Sequence, residues 1–314
     1  MFDLSIVIVS WNAKEFVKQC LASLRRDDSR LATEIFVVDN SFSDRTPDMV
    51  QQEFPEVVLI RNQSNLGFAK ANNLGIRLAT GKYICLINSD VTVPAGCLGR
   101  MFDYMEQNGT VGLLGPKMLT PKGSAGPSCM RLPTLSICLV NALGLSSFFK
   151  RSGLHMKNFN SAVVQNVDVL NGWFWMARKS TLDGVGLLDE QFFMYGEDLD
   201  WCRRFWKKGW RVVYFPNAAA VHYGEGSSSR APIRFYIEMH RANLQYWKRH
   251  HNSLSQVVYV LIVILHQALR VLGYGAVYAL KRSARSEASF KLRRSMACLG
   301  WLFGMPPGQH PTTA

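Results

Sequence analysis

No two cysteines stand in a C-x-x-C pair. The seven present, Cys20, Cys85, Cys97, Cys129, Cys138, Cys202 and Cys298, are odd in number and scattered along the chain. That pattern argues against a zinc ribbon or a redox dithiol and points to a reducing compartment. No basic lead or long apolar core opens the sequence either: Ser5–Ser10 is too short for an export signal and reads as a strand. After that strand comes Ser10-Trp11-Asn12-Ala13-Lys14 and not G-x-G-x-x-G, which speaks against a dinucleotide-dependent oxidoreductase. Internal repeats and low-complexity segments are absent. Acid is scarce in the last third, where twelve basic residues between Arg230 and Arg294 face only Glu238 and Glu287. This stretch carries most of the net charge of +13. Because the excess coincides with apolar sequence and not with an aromatic-interleaved groove, an anionic membrane surface is the expected partner and nucleic acid is not.

What is present is a chain of 314 residues, 48% hydrophobic, enough for one sizeable core and a small accessory region. Short β-branched runs alternate with amphipathic stretches, the pattern of an α/β fold with a mostly parallel sheet covered by helices. Residues 4–9, 35–38, 57–60, 83–87 and 111–114 read as buried strands. Residues 14–24, 48–54, 68–79 and 95–105 read as helices. From 117 to 165 the rhythm breaks around several prolines, and a variable loop region with some short helix is expected. Pattern returns at 167–177, in a helix from about Asp198 to Lys208, and in a strand 210–215 that Pro216 should end.

Acidic residues stand at the ends of these elements: Asp39 after the second strand, Asp90 after the fourth, and Glu197-Asp198 at a helix start. A carboxylate at a strand end escapes the apolar sheet yet stays rigidly placed, so it can hold a ribose, a base N–H or a cation. The same residues also suit loops, turns and N-caps. Gly67 opens a helix whose first N–H groups could face phosphate, or it could simply let loop meet helix. Strand alternation would put Trp173 and Trp175 on one face, against a bound ligand or in the core. Gly224–Ser229 suits a loop that closes over a ligand.

In order and spacing these segments resemble the family 2 glycosyltransferases of the GT-A fold, in particular the rhamnosyltransferase-like branch. The resemblance runs from Ser5 to about His251. It is carried by Ile6–Asn12, Val37–Ser41, Asn65–Ala69 with Asn72, Asn73 and Gly75, Asn88-Ser89-Asp90, Leu188–Phe193, Gly196–Asp200 and Val221-His222. It implies a catalytic domain over 1–230, with a nucleotide-sugar half of about 1–116 and an acceptor half of about 117–230, followed by a basic helical region over 231–314. It further implies that Asp39 accepts from N3–H of uracil or thymine, with Ser10 and Asn12 against the nucleoside and Asn65, Gly67, Asn88 and Ser89 also on the donor side. Asp90, with His222, would hold a divalent cation, Mg2+ or Mn2+, against the diphosphate. Asp198 would be the catalytic base and Glu197 its tuning neighbour, in an inverting transfer of one sugar. The expected donor is a dTDP- or UDP-linked sugar, rhamnose first, with a hexose or N-acetylhexosamine as the alternative. The expected acceptor is a lipid-linked glycan. Without a Q-x-x-R-W motif or a set of long spans, a processive polymerase is not expected; a non-catalytic glycan binder would have lost Asp90 or Asp198, and both are present.

The helix start at Asp198 should favour an ionised carboxylate, competent as a base. Toward the carboxy terminus a helix is expected over 234–251, then an apolar segment over 256–280 interrupted by Arg270. Tyr259, His266, Arg270, Tyr274 and Lys281 share one stripe and leave a broad apolar face, which suits a helix lying on the cytoplasmic side of a membrane better than one crossing it. Packing on the catalytic domain or on a second subunit in a homodimer is the alternative.

Overall fold

A computed structural model describes residues 2–27, 30–40, 43–145, 160–224 and 231–305. The chain divides into two compact units, one of residues 1–132 with 158–229, the other of 133–157 with 230–314. In chain order the elements are β1 (Leu4–Ser10), α1 (Lys14–Arg25), β2 (Thr33–Asp39), α2 (Thr46–Glu53), β3 (Val58–Arg61), α3 (Phe68–Leu78), β4 (Tyr83–Asn88), β5 (Val91–Thr92), α4 (Cys97–Gln107), β6 (Val111–Leu119) and β7 (Cys129–Met130). They continue with α5 (Leu135–Ala142), β8 (Gln165–Asn166), β9 (Val169–Leu170), β10 (Phe174–Arg178), α6 (Leu182–Val185), α7 (Glu197–Lys207), β11 (Arg211–His222), α8 (Pro232–His250), α9 (Ser253–Leu280) and α10 (Arg285–Leu302).

Among the described residues the first unit is built on a mixed sheet with strand order β3-β2-β1-β4-β10-β6-β11-β5, β8 joining β11. β1 to β4 are parallel, whereas β10 runs antiparallel to both β4 and β6. Alternation along β1 explains why its sequence is a continuous apolar run. Leu4, Ile6 and Ile8 pack with Val17, Leu21, Met49, Val50 and Met101 of α1, α2 and α4, while Val7 faces α3 on the other side. A Cβ on Gly75 of α3 would stand 2.5 Å from a Val7 methyl, so glycine is what lets helix and strand approach this closely. Both faces are therefore dry, as a parallel sheet requires.

Two expectations need correction. Pro216 does not end the last strand, because β11 runs on to His222 through a register shift between Phe215 and Ala219. A bulge tolerates a residue without an N–H, so the proline bends the strand and the pairing resumes beyond it. The second concerns the tryptophans: β10 starts at Phe174, so strict alternation does not reach Trp173. Trp173 packs in the cluster of Phe174 and Met176, whereas Trp175 lies on the opposite side against Trp201, with ring centroids 5.3 Å apart. Trp175 is fully buried and its indole N–H donates to the Leu170 carbonyl, so it is a core residue. The short helix expected within the irregular region after 117 is present as α5. β6 extends to Leu119, and α5 belongs to the second unit, where it packs against α9.

Candidate active site

The carboxyl ends of β2, β1 and β4 lie side by side and bring Asp39, Ser10 and Asn88 into one row. Ser10 and Asp39 are register partners, and the Asn40 N–H donates to the Ser10 carbonyl at 2.8 Å. Both side chains are enclosed, and the Ser10 hydroxyl has no protein partner among the described residues. A buried hydroxyl without a partner is costly, so a ligand atom is its natural complement. Asn12 follows with φ of 52°, a conformation that asparagine tolerates, and accepts from the Ser43 hydroxyl at 2.8 Å. Asp44, which the sequence did not single out, ties the two loops by accepting from Lys14 N–H and from Thr46.

Beyond β4, the bulge in β11 delivers His222 opposite Val91. The Tyr223 N–H donates to the Asp90 carbonyl, and His222 Nε2 lies 3.1 Å from Asp90 Oδ1. Trp173 stacks on the His222 ring, centroids 5.7 Å apart, while its carbonyl accepts from Asn88 N–H at 2.9 Å. Trp173 is thus a core residue, one of the two places the sequence offered for it, whose ring also backs the His222 imidazole. Among the described residues no group of three or more His, Cys, Asp or Glu side chains gathers as a metal centre. The Asp90–His222 pair nevertheless fits a divalent cation: adjacent ligand atoms at about 2.1 Å from an octahedral ion stand roughly 3 Å apart, and phosphate oxygens usually complete such a shell. Ser89 lies between Asn88 and Asp90, partly exposed.

Asp198 stands in the first turn of α7. Tyr195 and Gly196, with φ of 66° and 75°, turn the chain sharply into α7. The Asp198 carboxylate accepts from Leu199 N–H at 2.8 Å, and a Cβ on Gly172 would be only 3.8 Å from its own Cβ. Gly172 immediately precedes Trp173, so Asp198 and the Asp90–His222 pair flank one dipeptide. Burial raises the Asp198 carboxyl to about 6, against the opposing pull of the N–H groups of Leu199, Gly172 and Gly196. The N–H groups at the helix start favour the ionised form as expected, but burial outweighs them in the net shift. Glu197 is buried beside it with one carboxylate oxygen unpartnered among the described residues, and burial followed by the Asp198 charge pushes its carboxyl well up, favouring the neutral acid. Behind them Asp200, fully buried, pairs with Arg204, whose guanidinium also donates to the carbonyls of Val185, Gly186 and Leu187.

Asn65 and Gly67 have a different place. The Gly67 N–H is taken by Asn65 Oδ1 at 2.9 Å and the Phe68 N–H by the Phe193 carbonyl at 2.7 Å. Asn73 clasps Leu188 in both directions, at 2.8 and 3.1 Å. These residues dock the Leu188–Phe193 loop, which leads into α7, onto α3. Here the two N–H groups expected to face phosphate are already engaged. Gly67→Ala would combine a φ of 82° with a Cβ 2.4 Å from the Phe193 carbonyl. It is expected to cost about 1–3 kcal/mol of stability, readable as a lowered Tm. Ser41 and the expected closing loop beyond Gly224 lie outside the described residues.

Residues 5–127 match the family model described as Glycosyl transferase family 2, and residues 83–306 match that described as Glycosyl transferase family group 2. The chain belongs to the family 2 glycosyltransferases. This glycosyltransferase is 28% identical over 268 residues to an N-acetylglucosaminyl-diphospho-decaprenol L-rhamnosyltransferase of Mycobacterium tuberculosis, covering 80% of this chain and 85% of that one. It is 26% identical over 247 residues to the dTDP-rhamnosyl transferase RfbF of Shigella flexneri, covering 75% and 78%. A solved mannosyltransferase of Pyrobaculum calidifontis, PcManGT in complex with GDP-Man and Mn2+, aligns over 96% of this chain and 87% of that one, with a TM-score of 0.52 at 16% identity. That likeness establishes the GT-A fold.

Proposed function

We propose that this glycosyltransferase moves one rhamnosyl unit from dTDP-rhamnose to a hydroxyl of a lipid-linked glycan acceptor, with inversion, at the cytoplasmic face of a membrane. The observation that carries the reading is the placement of a raised-pKa carboxylate, Asp198, and a cation-competent pair, Asp90 and His222, on either side of Gly172-Trp173. The donor and acceptor classes are those named for the two bacterial relatives. Ser10, Asn12 and Asp39 form the floor for the nucleoside, with Asp39 accepting from the N3–H of the base. Asp90 and His222 would hold the divalent cation, which when bound neutralises charge on the departing diphosphate.

Asp198 takes the proton of the acceptor hydroxyl as that oxygen bonds to the anomeric carbon and the bond to the diphosphate breaks. Attack opposite the leaving group inverts the anomeric centre and needs no covalent sugar–enzyme intermediate. A carboxylate with a pKa near 6 is better matched to this task than an ordinary one, since proton affinity rises while most of the group stays ionised at neutral pH. Burial and then the Asp198 charge push the Glu197 carboxyl up, which favours its neutral form and eases the crowding of two negative charges. The test is a panel of dTDP-, UDP- and GDP-sugars, with Mn2+ or with chelator, read as nucleoside diphosphate release and as the anomeric configuration by NMR. Turnover of dTDP-rhamnose with an inverted product, suppressed by chelator, is expected. A retained anomer would overturn the mechanism, and a preference for UDP-hexose or UDP-N-acetylhexosamine would replace the donor.

A further inference from the structure

Within the second unit, α9 has two faces of opposite character. On one, Tyr259, Val263 and Gln267 are buried, and Gln267 meets the Tyr236 hydroxyl at 2.8 Å and His240 Nε2 at 3.0 Å, both on α8. Arg270 contacts His266 and donates to the Tyr274 hydroxyl at 3.2 Å, while Arg294 of α10 lies 4.2 Å over the Tyr236 ring. Burial, helped by the nearby arginine charges, pushes His240 and His266 down to about 4, so the seam holds them neutral. On the other face, Leu254, Val257, Leu261, Leu265, Leu269 and Leu272 recur every three or four residues, and all are exposed, Leu261 by 59% and Leu272 by 71%. This stripe belongs to the one described helix long and apolar enough to cross a membrane, and little of its apolar window is buried.

An apolar stripe of this length, on a helix of roughly 40 Å, calls for a partner. Its ends carry exposed Lys248 and Arg249 before it and Lys281, Arg282 and Arg285 after it. The described residues of this unit hold two acids, Glu238 and Glu287, and each is already paired, with Arg241 and Lys291. Crossing the bilayer would carry Arg270, His266 and Gln267 into hydrocarbon, where a central arginine is strongly disfavoured. Lying in the plane keeps them on the far side, packed on α8 and α10. We propose that the Leu254–Leu272 stripe of α9 lies in the surface of an anionic bilayer, its leucines among the acyl chains and the basic clusters at its two ends on acidic headgroups. The proposal deepens, and rests on, the reading of a lipid-linked acceptor.

The experiment is flotation of the full chain with vesicles of phosphatidylglycerol and phosphatidylcholine, and with phosphatidylcholine alone. Binding is expected to the anionic vesicles, to fall with added salt, and to drop at least tenfold in a Leu261→Glu/Leu265→Glu variant but not in Leu261→Met/Leu265→Met. Both positions are exposed, so circular dichroism should be unchanged, and transfer to a water-soluble acceptor analogue should persist in both variants. Absence of vesicle binding, resistance to alkaline extraction, or a dimer that the glutamate variant dissociates would each overturn the proposal, the last two in favour of a spanning helix or a second copy. Vesicle binding together with transfer only to non-lipid acceptors would leave the docking intact and refute the acceptor reading instead.

Discussion

Asp198→Asn is expected to lower turnover by about 10²–10⁴, the usual contribution of a positioned base, while donor affinity stays within a factor of two or so. The substitution keeps the shape and leaves an amide oxygen that can still accept from the Leu199 N–H, so the turn into α7 should survive. What disappears is the group proposed to take the acceptor proton. The pH profile separates this from a structural defect. In the wild type, kcat should rise through about pH 6 as the Asp198 carboxyl ionises and then level off, whereas the residual activity of the variant should lack that limb. Near-wild-type turnover in the variant would remove Asp198 from the role of base.

The same carboxyl makes an opposite prediction for stability. Its pKa is higher in the folded chain than in the unfolded one, so between about pH 4 and 6 the native state binds more protons. Stability therefore falls as pH rises through that window, and the full cost is present above it. Asp198→Asn removes a cost on the order of 1–3 kcal/mol and should raise Tm at neutral pH. An inactive but more stable variant is the signature of a residue kept for chemistry at the expense of packing.

How much of this was legible in the sequence depended on distance along the chain. β1, β2 and β4 announced themselves because both faces of a parallel strand are buried, and Asp39 and Asp90 stood where the apolar runs stopped. The Gly196-Glu197-Asp198 turn was equally local. The position of Trp173 was not, since its partner His222 arrives only after β11 has bent past Pro216, and nothing near Pro216 signals that pairing resumes beyond it. Asn65 and Gly67 looked like ligand contacts because a glycine at a helix start fits phosphate and fits close backbone approach equally well. Only the Phe193 carbonyl, more than a hundred residues away, distinguishes the two. The assignment of α5 to the second unit likewise rests on contacts with α9 across a long separation.

Asp90→Ala should act on binding before chemistry. In the wild type, Mn2+ is expected to raise the affinity for a nucleoside diphosphate, measured by calorimetry, if Asp90 and His222 hold the cation as proposed. Asp90 Oδ1 and His222 Nε2 are already spaced as neighbouring ligands, and Trp173 holds the imidazole from behind, so little reorganisation opposes capture. Losing the carboxylate leaves a single imidazole, too poor a site for a hard cation, and the metal-dependent gain should fall at least about 100-fold. Thymidine, which lacks phosphate, should bind the variant as it binds the wild type, because the nucleoside floor of Ser10 and Asp39 lies on neighbouring strands and is untouched. The two ligands together separate the roles: loss of both affinities would mean a damaged sheet edge, and unchanged diphosphate affinity with Mn2+ present would mean that Asp90 and His222 hold no metal. Loss of the diphosphate term alone is the result that the pairing of one acid and one imidazole at the end of β4 requires.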